Sequence, residues 1–382
     1  MKLKSLLVSL LAVSALVACN KENDGGAAAP TDGNGISVTV SIKSSGTRAV
    51  TDAFTSETDI TVDEITVYFT NGANGNIVDT KTFSPEEIKA GKAVFHGINP
   101  SSTHAVVVAN ANSLLSPVPT SVSELNNITL TMASMQNLTA VPLKSDVRPL
   151  VENTGHVAPE DGSEDDVTVD YRKVELTVGP VLARIEIGGT LTMTATGSNA
   201  EGVFAYSQFT PEYVGLNGLY ENGKLGGTTD GSLITANDNQ TGFPVVGTTP
   251  AWMYDAFDTT DKQDMIAADG NAVALSKVYA YNVMPGEKPV VMLRFDSKPL
   301  PANQIPEGIK TASPAYLKIV NFTDDAKLNK ITIEPGKIYT IKDIEFDQDK
   351  ITWLDNTVLC VEAIVHVQDW EIVDVVDPEF GE

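Results

Sequence analysis

Hydrophobic and polar positions alternate strictly through Ile36-Ser37-Val38-Thr39-Val40-Ser41-Ile42-Lys43. Ile36, Val38, Val40 and Ile42 fall on one side of an extended chain, and small polar residues or Lys on the other. The pattern predicts a strand with one face in a core. The same period recurs in shorter runs. Residues 62–69, the turn sequence Asn71-Gly72-Ala73-Asn74-Gly75 and residues 77–83 predict a hairpin. Residues 94–98 and 105–109 predict two more strands, the second an unbroken apolar run suited to burial on both faces. Residues 113–127 carry two prolines and predict a loop with one helical turn near Glu124. Short strands are expected at 128–132 and 138–143. Residues 167–178 alternate again until Gly179-Pro180 breaks the pattern.

A second strand-rich region opens at Val181-Leu182-Ala183-Arg184-Ile185-Glu186-Ile187. Residues 217–275 have sparse apolar periodicity and predict long surface loops, with strands resuming at 277–283, 290–295, 316–322 and 338–346. The closing stretch places Leu359, Val361, Ala363, Val365 and Val367 on one face, and Trp370 and Ile372 on the opposite parity. That change predicts a bulge or a break into two strands, 358–367 and 370–376. No long 3.6-residue period and no 20–50-residue repeat appears. Many short strands must bury their apolar faces against a second sheet, so the expected fold is all-β, with two β-sandwich domains. The expected divisions are 49–179 and 180–355, with 356–382 as a separate strand-bearing tail.

The ends of the chain add chemistry. Met1 to Lys4 is basic, and residues 5–18 form an apolar run too short to span a bilayer but suited to a signal-peptide core. It closes in Leu16-Val17-Ala18-Cys19, which resembles a bacterial lipoprotein signal with Cys19 as the lipidated residue. Asn20-Lys21-Glu22-Asn23-Asp24 resembles the signal that sends Bacteroidetes lipoproteins to the outer face of the cell. Residues 25–35 are rich in Gly, Ala, Pro, Asp and Asn and read as a flexible tether. Arg48 follows the alternating strand among small residues where a protease can reach it, and it is the only arginine before Arg148. The other cysteine, Cys360, reads as a small apolar residue with no disulfide partner.

The chain of 382 residues carries 26 Lys and Arg against 50 Asp and Glu, a formal charge of −24. That balance excludes a nucleic-acid partner, which needs a basic face. Catalytic patterns are lacking. The four histidines, His96, His104, His156 and His366, show no metal-ligand spacing, and there is no nucleophile elbow, phosphate loop or dinucleotide fingerprint. No enzyme activity, cofactor or metal is expected. Residues 160–166 form an acidic patch that fits a solvated loop better than a calcium site. Asp255, Asp258, Asp261 and Asp264 recur every three residues and read as another solvated loop. Trp252, Tyr254, Tyr279 and Tyr281 suggest either a sugar-binding surface or sandwich packing, the second being the commoner use of such residues.

Taken together, these pieces resemble the major fimbrial subunits (fimbrillins) of Bacteroidales, which build type V pili. The likeness rests on Leu16-Val17-Ala18-Cys19-Asn20-Lys21 and Ser45-Gly46-Thr47-Arg48-Ala49 near the start. It continues with Val181-Leu182-Ala183-Arg184-Ile185, Phe209-Thr210-Pro211-Glu212 and Val320-Asn321-Phe322. The last pieces are Ile333-Glu334-Pro335-Gly336-Lys337-Ile338-Tyr339 and residues 365–373, which contain Trp370. The resemblance implies two transthyretin-like sandwiches and an outer-membrane lipoprotein precursor, with signal 1–18 and propeptide 19–48. It further implies cleavage by an arginine-specific protease between Arg48 and Ala49, with loss of the strand bearing Ile36, Val38, Val40 and Ile42. A donor strand drawn from Leu359, Val361, Ala363, Val365, Val367 and Trp370 of another copy would then fill the vacancy. Its partners would be other copies of this chain, other fimbrial subunits, the protease and, through lipid, the outer membrane; its final place would be an extracellular fimbria supporting adhesion. The competing expectations are a surface glycan-binding lipoprotein, a tip or accessory subunit, and a processed surface enzyme.

Overall fold

The computed structural model describes residues 35–44, 60–136, 141–153, 170–194, 206–234, 250–266, 270–287, 289–305, 314–323, 332–346, 361–364 and 366–369. Cys19, Arg48, Ala49, Leu359, Cys360, Val365 and Trp370 lie outside the described residues.

The first half of the chain supplies β1 (Ile36–Ser44), β2 (Ile65–Thr70), β3 (Ile77–Thr82), β4 (Lys92–Ile98) and β5 (His104–Ala109). β6 (Thr129–Thr131), β7 (Leu143–Ser145), β8 (Arg148–Pro149), β9 (Val151–Glu152) and β10 (Tyr171–Pro180) follow. Three short helices interrupt them, α1 (Pro85–Ala90), α2 (Val122–Asn126) and α3 (Met132–Met135). α1 starts at a capping box in which Ser84 and Glu87 exchange side-chain and backbone hydrogen bonds, and it stops at Gly91 in the left-handed conformation. α2 supplies the helical turn expected around Glu124.

Nine strands form one sheet in the order β3-β2-β5-β7-β10-β1-β4, with β8 attached to β5 and β9 to β10. Its two ends curl to face each other. The Phe69 ring on β2 lies 6.2 Å from Phe95 on β4, edge to face, and Phe83 meets the same ring at 5.6 Å. The space between is filled by buried residues such as Val67, Val107, Leu143 and Leu176.

The second half supplies β11 (Ala183–Met193), β12 (Tyr206–Asn217), β13 (Leu219–Lys224) and β14 (Thr229–Ile234). Next come β15 (Tyr254–Ala256), β16 (Met265–Ile266), β17 (Asn271–Ala274) and β18 (Tyr279–Val283). β19 (Val290–Pro299), β20 (Ala315–Thr323), β21 (Lys337–Phe346), β22 (Val361–Ile364) and β23 (His366–Asp369) complete it. One sheet runs β17-β11-β21-β23 with β18 also on β11, and another runs β15-β12-β19-β20-β22 with β16 on β12. The rings of Phe295 on β19 and Phe346 on β21 lie 5.4 Å apart across the interior, so the two sheets face each other as a sandwich. The fold is all-β.

The described parts of residues 217–275 are therefore not the run of loops that their weak periodicity suggests. They hold β13 to β17, short pieces held to neighbours by backbone hydrogen bonds, which require no apolar side chain. β13 pairs with β14 on one side and with β6 of the first half on the other, so a small sheet spans the junction. Gln136 and Asn282 add a reciprocal amide pair there: Gln136 Nε2 donates to the Asn282 carbonyl at 2.7 Å and Gln136 Oε1 accepts from Asn282 N at 2.8 Å. Glu287, 4% exposed, accepts from the backbone of Tyr220 and of Met284 at 2.7 and 2.8 Å.

Candidate functional site

The slot occupied by β1 is the most specific feature of the first half. β1 runs parallel to β10, with Ser37 opposite Tyr171 and Ser44 opposite Val178, and antiparallel to β4, with Thr39 opposite Val94 and Ser41 opposite Lys92. Two neighbours satisfy both edges of its backbone. Ile36, Val38, Val40 and Ile42 point inward with 0–3% exposure and belong to the same core as Phe69 and Phe95. The strand thus completes a core made otherwise by residues well after it in the sequence.

Its outward residues are held individually. Ser37 is 2% exposed, and its Oγ lies 2.9 Å from His96 Nδ1 on β4. Burial lowers the His96 pKa, because the protonated ring loses hydration there. Thr39 stands between Val94 and Lys173, and Ser41 between Lys92 and Glu175. At the far end Lys43 Nζ meets Glu175 Oε1 at 2.9 Å. At the near end the chain passes so close to Gly97 that a Cβ on Gly35 would stand 2.6 Å from Gly97 Cα. His96, Lys173 and Glu175, the polar walls of this slot, were missed by sequence reasoning. Their proximity to β1 depends on pairings across 59 and 134 residues of chain, which no local pattern states.

The opposite end of the chain is held differently. β22 pairs in parallel with β20, Val361 opposite Ile319, and β23 pairs antiparallel with β21, Val367 opposite Tyr339. Each lies at the end of its sheet, and the two belong to different sheets of one sandwich. β22 ends at Ile364 and β23 begins at His366, both ahead of the parity change expected at Trp370.

The aromatic residues of the second half do not form a sugar-binding surface. Tyr279 and Tyr281 are each 2% exposed and lie in the sandwich core, and Trp252 packs against both cores. The aspartates that recur every three residues hold these rings and their loop in place. Tyr281 Oη lies 2.9 Å from Asp255 Oδ2, and Tyr279 Oη donates to Asp261 Oδ2 at 3.0 Å while accepting from Asp258 N at 3.0 Å. Asp261, fully buried, also accepts from Ser276 N at 2.8 Å. Asp264 accepts from Thr210 Oγ1 at 2.7 Å. Burial and these neighbouring carboxylates push both tyrosine pKa values well up. Asp255, Asp258 and Asp264 are exposed and Asp261 is buried, so the spacing of three marks a solvated loop that is braced through its carboxylates. Among the described residues no cluster of three or more His, Cys, Asp or Glu is placed to hold a metal, and no helix is long and apolar enough to cross a membrane.

No family profile and no curated protein sequence matches the chain. Among solved structures, a proposed cell adhesion protein from Bacteroides eggerthii superposes with a TM-score of 0.56 at 18% identity, covering 89% of this chain and 98% of that one. A second proposed cell adhesion protein, from Parabacteroides distasonis, superposes with a TM-score of 0.52 at 15% identity, covering 88% and 100%. At such identities the likeness establishes a shared all-β fold over nearly the whole chain.

Proposed function

We propose that this chain is a structural subunit of a surface fimbria, exported as a lipoprotein and assembled by exchange of one strand between copies. The single observation that carries this reading is the position of β1, a strand buried between β4 and β10 that is joined to the rest of its sheet only through segment 45–59, where Arg48 lies. Cleavage after Arg48 releases it without cutting any other described strand. The vacated slot then exposes two unpaired strand edges and an apolar trough, both of which favour an incoming strand. Four aliphatic side chains at about 1.5–3 kcal/mol each make burial of a replacement worth roughly 6–12 kcal/mol before ordering costs. Each link joins unlike surfaces, head to tail, so it propagates rather than closing. The adhesion role assigned to the two similar structures is in keeping with such a fibre.

In this scheme Cys19 carries the lipid that holds the precursor at the outer membrane. Ile36, Val38, Val40 and Ile42 are the detachable face. Leu359, Val361, Ala363, Val365 and Val367, with Trp370 beyond them, form the donor region. The partners are further copies of this chain, other fimbrial subunits and the arginine-specific protease, and the final location is extracellular.

The test is the amino terminus of the assembled material together with its morphology. Fibres seen by electron microscopy should begin at Ala49, and Arg48→Ala should leave lipidated monomers that do not polymerise. Fibres whose chains begin at Cys19 would sink the proposal.

A further inference from the structure

We infer the register in which the tail of one copy fills the slot of the next: Cys360 takes the place of Ser37, beside His96. The inference rests on the strand-exchange reading above, requires β22 and β23 to leave their ladders on β20 and β21, and adds the register that the reading leaves open. Its starting point is the size of the Ser37 position. Ser37 is 2% exposed, so its replacement must be small and must tolerate a neighbouring imidazole at hydrogen-bond distance. When Leu359, Val361, Ala363 and Val365 face inward, the outward residues available are Val358, Cys360, Glu362, Ile364 and His366. Only Cys360 is of serine's size, and its thiol offers a weak donor and acceptor to the ring. A carboxylate there would be desolvated without a matching charge, and a branched side chain would overpack the position.

Fixing that one position fixes the others. With the tail running in the same direction as β1, Leu359, Val361, Ala363 and Val365 replace Ile36, Val38, Val40 and Ile42, an aliphatic residue for each aliphatic residue. Glu362 then takes the Thr39 position, directly opposite Lys173, and His366 takes the Lys43 position, beside Glu175. Glu362 thus meets a cation, and His366 meets a carboxylate that can accept from its ring. Ile364 takes the Ser41 position, itself buried at 8% exposure, and its larger side chain is admitted there by movement of the exposed, flexible stems of Lys92 and Glu175, which the fixed His96 ring beside Ser37 does not allow. Running the tail in the opposite direction with Cys360 at the same point leaves only Val361 and Leu359 inside the slot and brings Thr357 onto its apolar face. The close pass of Gly35 over Gly97 has no equivalent, because the tail holds no glycine before Gly381. The incoming strand therefore leaves the slot ahead of that point.

Removal of residues 1–48 leaves Cys360 as the single cysteine, which makes the register directly readable. Fibres are grown from the full chain after arginine-specific cleavage, oxidised, and run under denaturing, non-reducing conditions. His96→Cys should give a covalent ladder of dimers, trimers and higher species that collapses on reduction, because neighbouring-strand positions lie within disulfide reach. Val94→Cys should give none. A ladder with Val94→Cys but not His96→Cys means a slip of two residues, and fibres with no ladder at either position mean another register; both results overturn the inference while strand exchange stands. If the unsubstituted cleaved chain forms no fibres, the underlying reading fails instead. Should His96→Cys itself not assemble, a charge exchange decides. Lys173→Glu should slow assembly about threefold to tenfold, and adding Glu362→Lys should restore the rate; a double variant as slow as the single one overturns the register.

Discussion

Ser37 Oγ and His96 Nδ1 stand 2.9 Å apart across the boundary between a strand near the amino terminus and the sheet that receives it. The imidazole is partly desolvated and its pKa is lowered by burial. A base whose folded pKa is depressed binds its proton less readily when folded, so its contribution to stability is present above the unfolded value of about 6.5 and is lost as pH falls below it. Acidification from pH 7 to 5 should therefore loosen β1 in the uncut chain. Hydrogen exchange of the β1 and β4 amides as a function of pH is the measurement. Lower protection factors at pH 5, after correction for the intrinsic pH dependence of amide exchange, are expected in the natural protein, with a flatter dependence in His96→Gln. An equal slope in both would remove His96 from the account.

Gly35 supplies a second prediction. The backbones at Gly35 and Gly97 approach so closely that any side chain at 35 meets Gly97 Cα at 2.6 Å. Gly35→Val should destabilise the uncut chain by about 1–3 kcal/mol through overpacking. Chemical denaturation before and after arginine-specific cleavage separates the two states. The penalty should be present before cleavage and vanish after removal of the amino-terminal piece, since residue 35 lies ahead of Arg48.

Glu287 at the junction between the halves titrates in the opposite sense. Burial raises its pKa from the usual carboxylate range to about 7, against the lowering effect of the two backbone amides it accepts from. An acid whose folded pKa is raised holds its proton more tightly when folded. Its stabilising contribution is complete below the unfolded pKa of about 4.3 and is lost as pH rises toward 7. Thermal midpoints should accordingly decline over that window, and Glu287→Gln should flatten the decline. A pH profile identical to the natural chain would show that the decline has another source.

Much of the architecture is legible in the sequence because a half-buried strand writes its burial into every second residue. Residues 36–43 announce β1, and the two blocks of alternating strands announce an all-β chain. What remains hidden has a common cause. The strands β13 to β17 are short and held by backbone hydrogen bonds, so they leave almost no periodic trace. Tyr279 and Tyr281 look alike whether they face a sugar or a core, and only the position of Asp255 and Asp261 behind them settles which. The walls of the β1 slot are invisible for a further reason. Nothing local in Lys92 to Ile98 or in Tyr171 to Pro180 states that a strand from another part of the chain lies between them.

The two-sided pairing of β1 has a mechanical consequence. A force drawn along the axis of a strand flanked on both sides loads two hydrogen-bond ladders in shear, so many bonds must yield together. A strand at a sheet edge, such as β22 or β23, is fastened by one ladder and can be peeled bond by bond from its free end. Whatever occupies the slot between β4 and β10 is therefore held more firmly against a pull along its axis than β22 or β23 is held where each lies against a single neighbour.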